Sequence, residues 1–299
     1  MGAVKTEPYS PPPGVHVGQD VGGHQYLISP AHIDRHSAGT LDALEWYRGA
    51  SPFGAAVAPA LLFHSEVYED LSWYLPNIFG NLHARQEWEL FDPMMVGQAV
   101  RTRSTVVERY TKRDREYVVS EVLITDADGR WLQRSRTHQS FLISGERRGY
   151  AVDQTREKRA DRVFSIGDGP GPDLAELQKT IDLDMCQAFS GPHKNYHNDR
   201  EMAQMLGFPE VVVQGMMSIC FVSELMTRAF GAGWLAGGKL DVRLVNVVWG
   251  GDTLRVRGRQ RETVAEGGAE RVICDIWCEK SDGAKTLVGS ASALTRASS

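Results

Sequence analysis

Between Phe189 and Ser218 the chain reads FSGPHKNYHNDREMAQMLGFPEVVVQGMMS, and its opening part gathers His193, Lys194, Asn195, Tyr196, His197, Asn198 and Asp199 into one polar run. Imidazole titrates near neutral pH, so His197 and His193 are candidates for general acid–base work. The plain alternative is a loop histidine that caps backbone groups or faces solvent. Asn195 and Tyr196 could orient a substrate or the histidine, and equally could pack the loop. Asp199, standing before REMAQMLG, reads as a helix cap. The run is followed by Gln214-Gly215-Met216, the start of an apolar helix. Free backbone N–H groups at such a start form an oxyanion-type site for a carbonyl oxygen, a role that asks Gly215 for no side chain. Gln214 could donate to a carbonyl through its amide or cap its own helix. Met216, like Met217, Met226 and Met205, reads first as core.

The elements that must hold this loop come in two sets. VGQAVRTR from Val96 lies over GGDTLRVR from Gly250, and YVVSEVLITDADG from Tyr117 lies over RVICDIWCEKSDG from Arg271, both at an offset of 154. Two separated blocks at one offset mark an internal repeat. In each, apolar residues alternate with arginines (Val100, Thr102; Leu254, Val256), the period-two pattern of antiparallel strands with one wet face. Asp128-Gly129 and Asp282-Gly283 are hairpin turn signals. Upstream of each strand block the pattern predicts a strongly apolar helix, over residues 58–75 and 214–230, the second apolar nearly all round as a wrapped helix must be. Each is preceded by a capped segment, at Ser29-Pro30 and at Asp182 or Asp184. The expected class is α+β: two copies of one unit, each a curled antiparallel sheet around a long helix. Residues 1–20 read as a disordered proline-stiffened lead-in, 21–145 and 174–299 as the two units, and the charged, Gly/Pro-rich 146–173 as the linker.

The chain's 299 residues are ample for two such cores, and 42% apolar with 24% charged residues is ordinary globular composition. A formal charge of −5 argues against nucleic acid or an anionic membrane as a general partner. No uncharged apolar run is long enough for a membrane span, and the N-terminus lacks a secretory pattern, so a cytoplasmic protein is expected. Cys274 and Cys278 alternate along one strand face, which suits buried free thiols better than a metal clip. The histidines do not fall into a metal-binding spacing, and no glycine-rich nucleotide loop occurs, so neither metal nor organic cofactor is expected. Arg101, Arg103, Arg255, Arg257 and Arg259 are a solvated strand face by default, with a coenzyme A phosphate as a further possible partner.

From about His24 to Leu294 the chain resembles the MaoC-like, R-specific enoyl-CoA hydratase/dehydratase family in its double hot-dog form. The second-half motif carries the resemblance: Ser190, Gly191, His197, Asp199, Gly207, Phe208, Gly215 and Met216 match, and Ser190 to His197 keeps the family's span. The run SPFGAAVAPALL, residues 51–62, is similar to the family's degenerate N-terminal repeat, which lacks the catalytic pair. The resemblance implies that an Asp–His pair adds water across an α,β-unsaturated thioester while a glycine N–H at the helix start holds the enolate oxygen. Here the aspartate falls on Pro192, the histidine before the glycine falls on Gln214, and Asn195 stands one position late.

Three functions follow as expectations. The first is a hydratase or dehydratase acting on an acyl thioester of coenzyme A or a carrier protein, with His197, His193 and Gly215 catalytic and Ser190, Gly191, Asn195, Tyr196, Gln214 and Met216 around the substrate. The second is an isomerase or cyclase in which His197 alone shuttles a proton. The third is a non-catalytic partner subunit. A homodimer is expected, because hot-dog sheets have edges and helices that a second copy commonly covers.

Overall fold

The computed structural model describes residues 15–70, 82–112, 115–142 and 164–295. The first repeat runs β1 (Asp20–Gly22), β2 (Gln25–Leu27), α1 (Pro30–Thr40), a single 3-10 turn (Glu45–Tyr47), α2 (Glu66–Asp70), β3 (Leu82–Leu90), β4 (Ala99–Lys112), β5 (Arg115–Asp126) and β6 (Trp131–Leu142). The second runs β7 (Leu177–Thr180), α3 (Leu183–Ser190), α4 (Arg200–Met205), α5 (Gly215–Phe230), α6 (Ala232–Leu235), β8 (Lys239–Leu244), β9 (Thr253–Glu266), β10 (Ala269–Lys280) and β11 (Lys285–Thr295). Strands β4 and β9 begin at Ala99 and Thr253, and β5 and β10 at Arg115 and Ala269, so the offset of the sequence repeat is also that of the structure. The glycines that open and close these strands agree: Gly97 and Gly251 have φ of 87° and 94°, and Gly129 and Gly283 have φ of 84° and 85°. Only glycine takes such angles at no steric cost.

All strands join in one antiparallel sheet with the order β1-β4-β5-β6-β3-β8-β11-β10-β9-β7, β2 also pairing with β4. The order is a palindrome of the two repeats, and β3 against β8 is the seam. There Gln86, fully buried, faces Val242, and Trp88 faces Leu240. Glu87 stands opposite Asp241, a like-charge pairing that would cost stability alone. Arg85 offsets it with a two-pronged grip on Asp241 (Nε and Nη2, both 2.6 Å) and a 3.0 Å ion pair to Glu87.

Helix α5 is the core of the second repeat, and every residue from Met216 to Thr227 is buried. Asp182 caps α3, its Oδ1 accepting from the Met185 N–H at 2.8 Å, and Ser29 with Pro30 opens α1 as expected. Helix α1 crosses α3 closely, because a Cβ on Gly39 would lie 2.9 Å from that of Phe189. Among the described residues no helix is long and apolar enough to cross a membrane.

The first repeat departs from expectation at its helix. Residues 58–59 are irregular and 60–65 are turns, not helix; α2 covers only Glu66–Asp70, and the rest of the expected span lies outside the described residues. The cause is non-local. Val57 bridges Met95, Ala58 donates to the Met94 carbonyl, and the Ala60 carbonyl accepts from the buried Gln133 amide at 2.6 Å. These bonds take the backbone groups a helix would need. Buried Glu66 then ties α2 down, accepting from Tyr26 at 2.8 Å and from Thr102.

Residues 15–20, expected in the lead-in, are held against β4: Gly18 donates to the Val106 carbonyl, and Val15 is buried. Most of the expected linker lies outside the described residues, and its last stretch packs on the second repeat, with Asp173 in an ion pair to Arg259 at 2.6 Å. Arg255 and Arg257 pair with Glu279, and Arg103 with Asp20, so these arginines already have carboxylate partners within the chain. Cys186, Cys220, Cys274 and Cys278 are free and buried, and burial raises every one of their thiols.

One buried lysine, itself ion-paired within the second repeat, ties the two repeats together away from the seam. Lys179 on β7 meets Glu224 on α5 at 2.7 Å and also donates to the Thr40 and Leu41 carbonyls at the end of α1. Both side chains are almost fully buried, at 8% and 1% exposure. Removing Lys179 leaves Glu224 Oε2 buried without its partner, since Arg228 holds only Oε1, at 2.6 Å. Lys179→Met is therefore expected to lower unfolding free energy by about 3–5 kcal/mol in urea titrations, and Lys179→Met/Glu224→Gln to recover much of it. Equal losses in the two variants would show that the ion pair is not the cause.

Candidate active site

The polar run after α3 folds into a loop held by its two asparagines. Asn195 and Asn198 each donate through Nδ2 to the Ser190 and His193 carbonyls, at 2.9–3.0 Å. Asn198 Oδ1 accepts from the Asn195 N–H at 2.8 Å, and Asn195 Oδ1 accepts from the His197 N–H at 2.9 Å. Asp199 caps α4 through the Met202 N–H at 2.9 Å and pairs with Lys194 at 2.8 Å. Gly191 closes α3 where a Cβ would lie 2.6 Å from the Gln187 carbonyl oxygen, so no larger residue fits without movement.

This frame holds His197 half-buried, its ring 4.0 Å from that of Tyr196. Its Nδ1 lies 2.6 Å from the Val212 carbonyl oxygen. A carbonyl can only accept, so Nδ1 carries the proton and Nε2 of the neutral ring is a bare lone pair. Burial pushes the imidazole down to about 4, so the ring is uncharged at neutral pH. Two carboxylates near the loop are engaged elsewhere: Asp199 as described, and Glu210 on Arg200 at 2.9 Å. Burial raises the Tyr196 phenol to about 12, which keeps its proton in place.

Val212 leads directly into the start of α5. Gln214 is the residue before its first turn, and its Oε1 takes long hydrogen bonds from Ser190 Oγ at 3.4 Å and Ser65 Oγ at 3.5 Å. The N–H groups of Gly215 and Met216 belong to the first turn, where no carbonyl four residues back lies within the helix. Met216 itself points into the core at 1% exposure. The structure thus brings Ser190 to Gln214, beside Gly215, and ties the His197 ring to Val212, two residues before Gln214. It leaves His193 exposed at the loop's rim, using its carbonyl rather than its ring. Asn195 and Gly191 serve the loop's own geometry.

The first repeat supplies neighbours that motif reasoning missed. Ser65 reaches Gln214, and its Oγ lies 2.6 Å from Nδ1 of His64, whose ring stacks on Phe189 at 3.9 Å. A Cβ on Gly215 would stand 3.6 Å from Nδ1 of His83, on β3. No signal in the second-half motif points to these residues, which reach α5 only because the two repeats share a sheet.

Comparison with known proteins places this arrangement. Residues 171–273 match the family model described as MaoC like domain. The chain is 28% identical over 113 residues to the peroxisomal hydratase-dehydrogenase-epimerase of Saccharomyces cerevisiae, a stretch that is 38% of this chain and 12% of that protein. The chain therefore spans only a small part of the curated relative it matches. A solved structure of a MaoC-like dehydratase superposes with a TM-score of 0.71 at 16% identity, covering 94% of this chain and 98% of that one. A Mycobacterium tuberculosis protein described as having a double hotdog fold superposes with a TM-score of 0.60 at 14% identity, covering 94% and 96%. At such identities the superpositions speak for the fold, and the family match speaks for the second repeat. Residues 171–273 thus match a MaoC like domain, within a chain of double hot-dog fold.

Proposed function

We propose that the chain is a hydro-lyase that adds water to, or removes it from, an acyl thioester, with His197 as its proton-transferring residue. The observation that carries this reading is the His197 tautomer: Nδ1–H fixed on the Val212 carbonyl, and Nε2 left as a base on the loop that abuts the first turn of α5. In hydration, water loses a proton to Nε2 as its oxygen bonds the β-carbon of the enoyl group. The double-bond electrons move to the thioester oxygen, and the Gly215 N–H at the positive end of α5 holds the enolate. The enolate's α-carbon then takes the proton back from the imidazolium, restoring the thioester carbonyl and the neutral ring. Dehydration is the same path reversed. One imidazole takes and returns one proton, so atoms and charge balance without a carboxylate.

A substrate presented as a coenzyme A or carrier-protein thioester belongs to the same reading, supported by the family of the second repeat and by the hydratase named in the curated relative. A cytosolic homodimer completes it, with four buried free thiols suiting a reducing compartment. A second reaction has an observation in its favour. Among the described residues no carboxylate bonds the His197 ring, and Pro192 occupies the motif's acidic position. A lone neutral base also suffices to move a double bond, taking a proton at one carbon and returning it at another.

Incubation with crotonyl-CoA and longer enoyl-CoAs, with mass-spectrometric analysis, separates the two: a gain of one water supports the hydro-lyase, an isomer of unchanged mass the second reaction. His197→Ala is expected to lower kcat/KM by about 10²–10⁴-fold, the usual worth of a general base. Normal turnover by that variant would show that the site lies elsewhere. The working form of His197 is the neutral one, so its depressed pKa fixes the pH profile. Acid activity is expected to hold well below pH 6.5 and to fall as pH drops through about 4, with denaturation monitored in parallel. A fall centred near 6.5 in a folded protein would show that the catalytic imidazole is not the buried one.

A further inference from the structure

One water and one neutral imidazole leave the water's orientation unexplained, since a base that takes its proton does not by itself aim its lone pair at the β-carbon. We propose that His83, from the first repeat, is a second catalytic residue: its Nδ1 accepts a hydrogen bond from the water that adds, or from the hydroxyl that leaves. The proposal rests on the hydro-lyase reading above and gives this chain an acceptor where Pro192 offers none.

The tautomer of His83 follows from its neighbours. Gln86 is fully buried, and its Nε2 donates to the Glu87 carbonyl at 3.0 Å, which settles which end of the amide is oxygen. The Gln86 Oε1 then accepts from Thr137 Oγ1 at 2.8 Å and faces His83 Nε2 at 3.1 Å. An amide oxygen cannot donate, so the His83 proton sits on Nε2, and Nδ1 is the lone pair. The Tyr68 hydroxyl lies 3.3 Å from that Nδ1, a long contact that a ligand O–H can share. Burial pushes the ring down to about 4, so it stays an acceptor at neutral pH.

Position completes the case. Nδ1 of His83 lies 3.6 Å from where a Cβ on Gly215 would stand, in the first turn of α5, and Leu244 Cδ1 packs 2.3 Å from that same point. That turn is where the enolate oxygen is held. The positive end of the helix dipole further disfavours an imidazolium there. The other first-repeat histidine near the turn is less suited: His64 has its ring stacked on Phe189 and its Nδ1 engaged by Ser65. His193 is exposed. With His83 accepting and His197 taking and returning the proton, no extra proton or electron pair enters the cycle.

Two substitutions at one position test this. A glutamine places its amide where Nε2 was and keeps the tie to Gln86; an asparagine places its amide where Nδ1 was and keeps an acceptor facing α5. His83→Gln is expected to lower kcat for crotonyl-CoA hydration about 30–100-fold with KM within about twofold, and His83→Asn to stay within about fivefold of the parent. The reverse order, glutamine tolerated and asparagine not, would make His83 a structural tie and overturn the proposal. Full activity of His83→Gln beside an inactive His197→Ala would overturn it while leaving the hydro-lyase reading intact. Inactivity of the parent on every enoyl-CoA would remove both. A readout that needs no turnover is the 15N spectrum of the histidine rings: His83 Nδ1 is expected to resonate as an unprotonated nitrogen and to move on addition of 3-hydroxybutyryl-CoA, and a protonated Nδ1 or an unmoved signal would overturn the assignment.

Discussion

The pairing of β3 with β8 is the constraint on which the rest of the molecule depends. Two repeats of one unit could have been beads on a string, each with an open sheet edge. Here Arg85 to Glu89 lie along Lys239 to Arg243, and two sheets become one. Edges that would otherwise invite aggregation are covered at that seam. The seam also carries a charge problem and its solution, Glu87 against Asp241 with Arg85 gripping both. Its most consequential effect lies at its end. Leu244 closes β8 against Gly215, and His83, two residues before Arg85 on β3, arrives at the same glycine from the opposite repeat. The pairing that builds the sheet therefore also decides which first-repeat side chain meets the helix start of the second.

Equal elements at equal spacing have diverged where backbone hydrogen bonds are contested. Val57 pairs with Met95 and Val212 with Trp249, matching bridges in the two repeats. After Val212 the chain enters α5 within three residues; after Val57 residues 58–65 stay outside any helix, Ala58 and Ala60 bonded to Met94 and Gln133. The shorter entry presents Gly215 and Met216 N–H groups beside the His197 loop. The longer one places Ser65 and His64 against Gln214 and Phe189. Divergence thus gave the second repeat an early helix start and packed first-repeat side chains against it.

What could be read from residue order is what local chemistry decides. Alternation fixed β4, β5, β9 and β10, turn glycines marked their ends, Asp182 and Asp199 stood out as caps, and the polar loop around His197 was recognisable by its motif. The first helix was overestimated because its apolar residues satisfy a helical pattern while its carbonyls and N–H groups bond to strands far along the chain. His83 was invisible for a sharper reason. Residues three apart on a regular strand face opposite ways, so His83 and Gln86 show no sign of partnership. The register shift between His83 and Arg85 in the pairing with β6 breaks that alternation, and the two side chains meet at 3.1 Å. Bulges are placed by tertiary pairing, and no spacing rule announces them.

The chemistry assigned to the site turns on what two uncharged imidazoles can do that a carboxylate–imidazole pair cannot. A carboxylate beside histidine stabilises the imidazolium and makes the ring a stronger base. Here burial without a carboxylate lowers both rings to about 4, which makes each a weak base and its conjugate acid a strong one. The hard step then shifts. Taking a proton from water becomes costlier, while returning it to the enolate carbon becomes easier. In the proposed reaction that cost must be met where negative charge accumulates, at the thioester oxygen, which is the charge assigned to the first-turn N–H groups of α5. A site of this kind leans on the helix start more than on its base. Gly215 itself has no room for a side chain, since a Cβ there would stand 2.3 Å from Leu244 Cδ1 and 3.6 Å from His83 Nδ1, so the two repeats close on this one glycine.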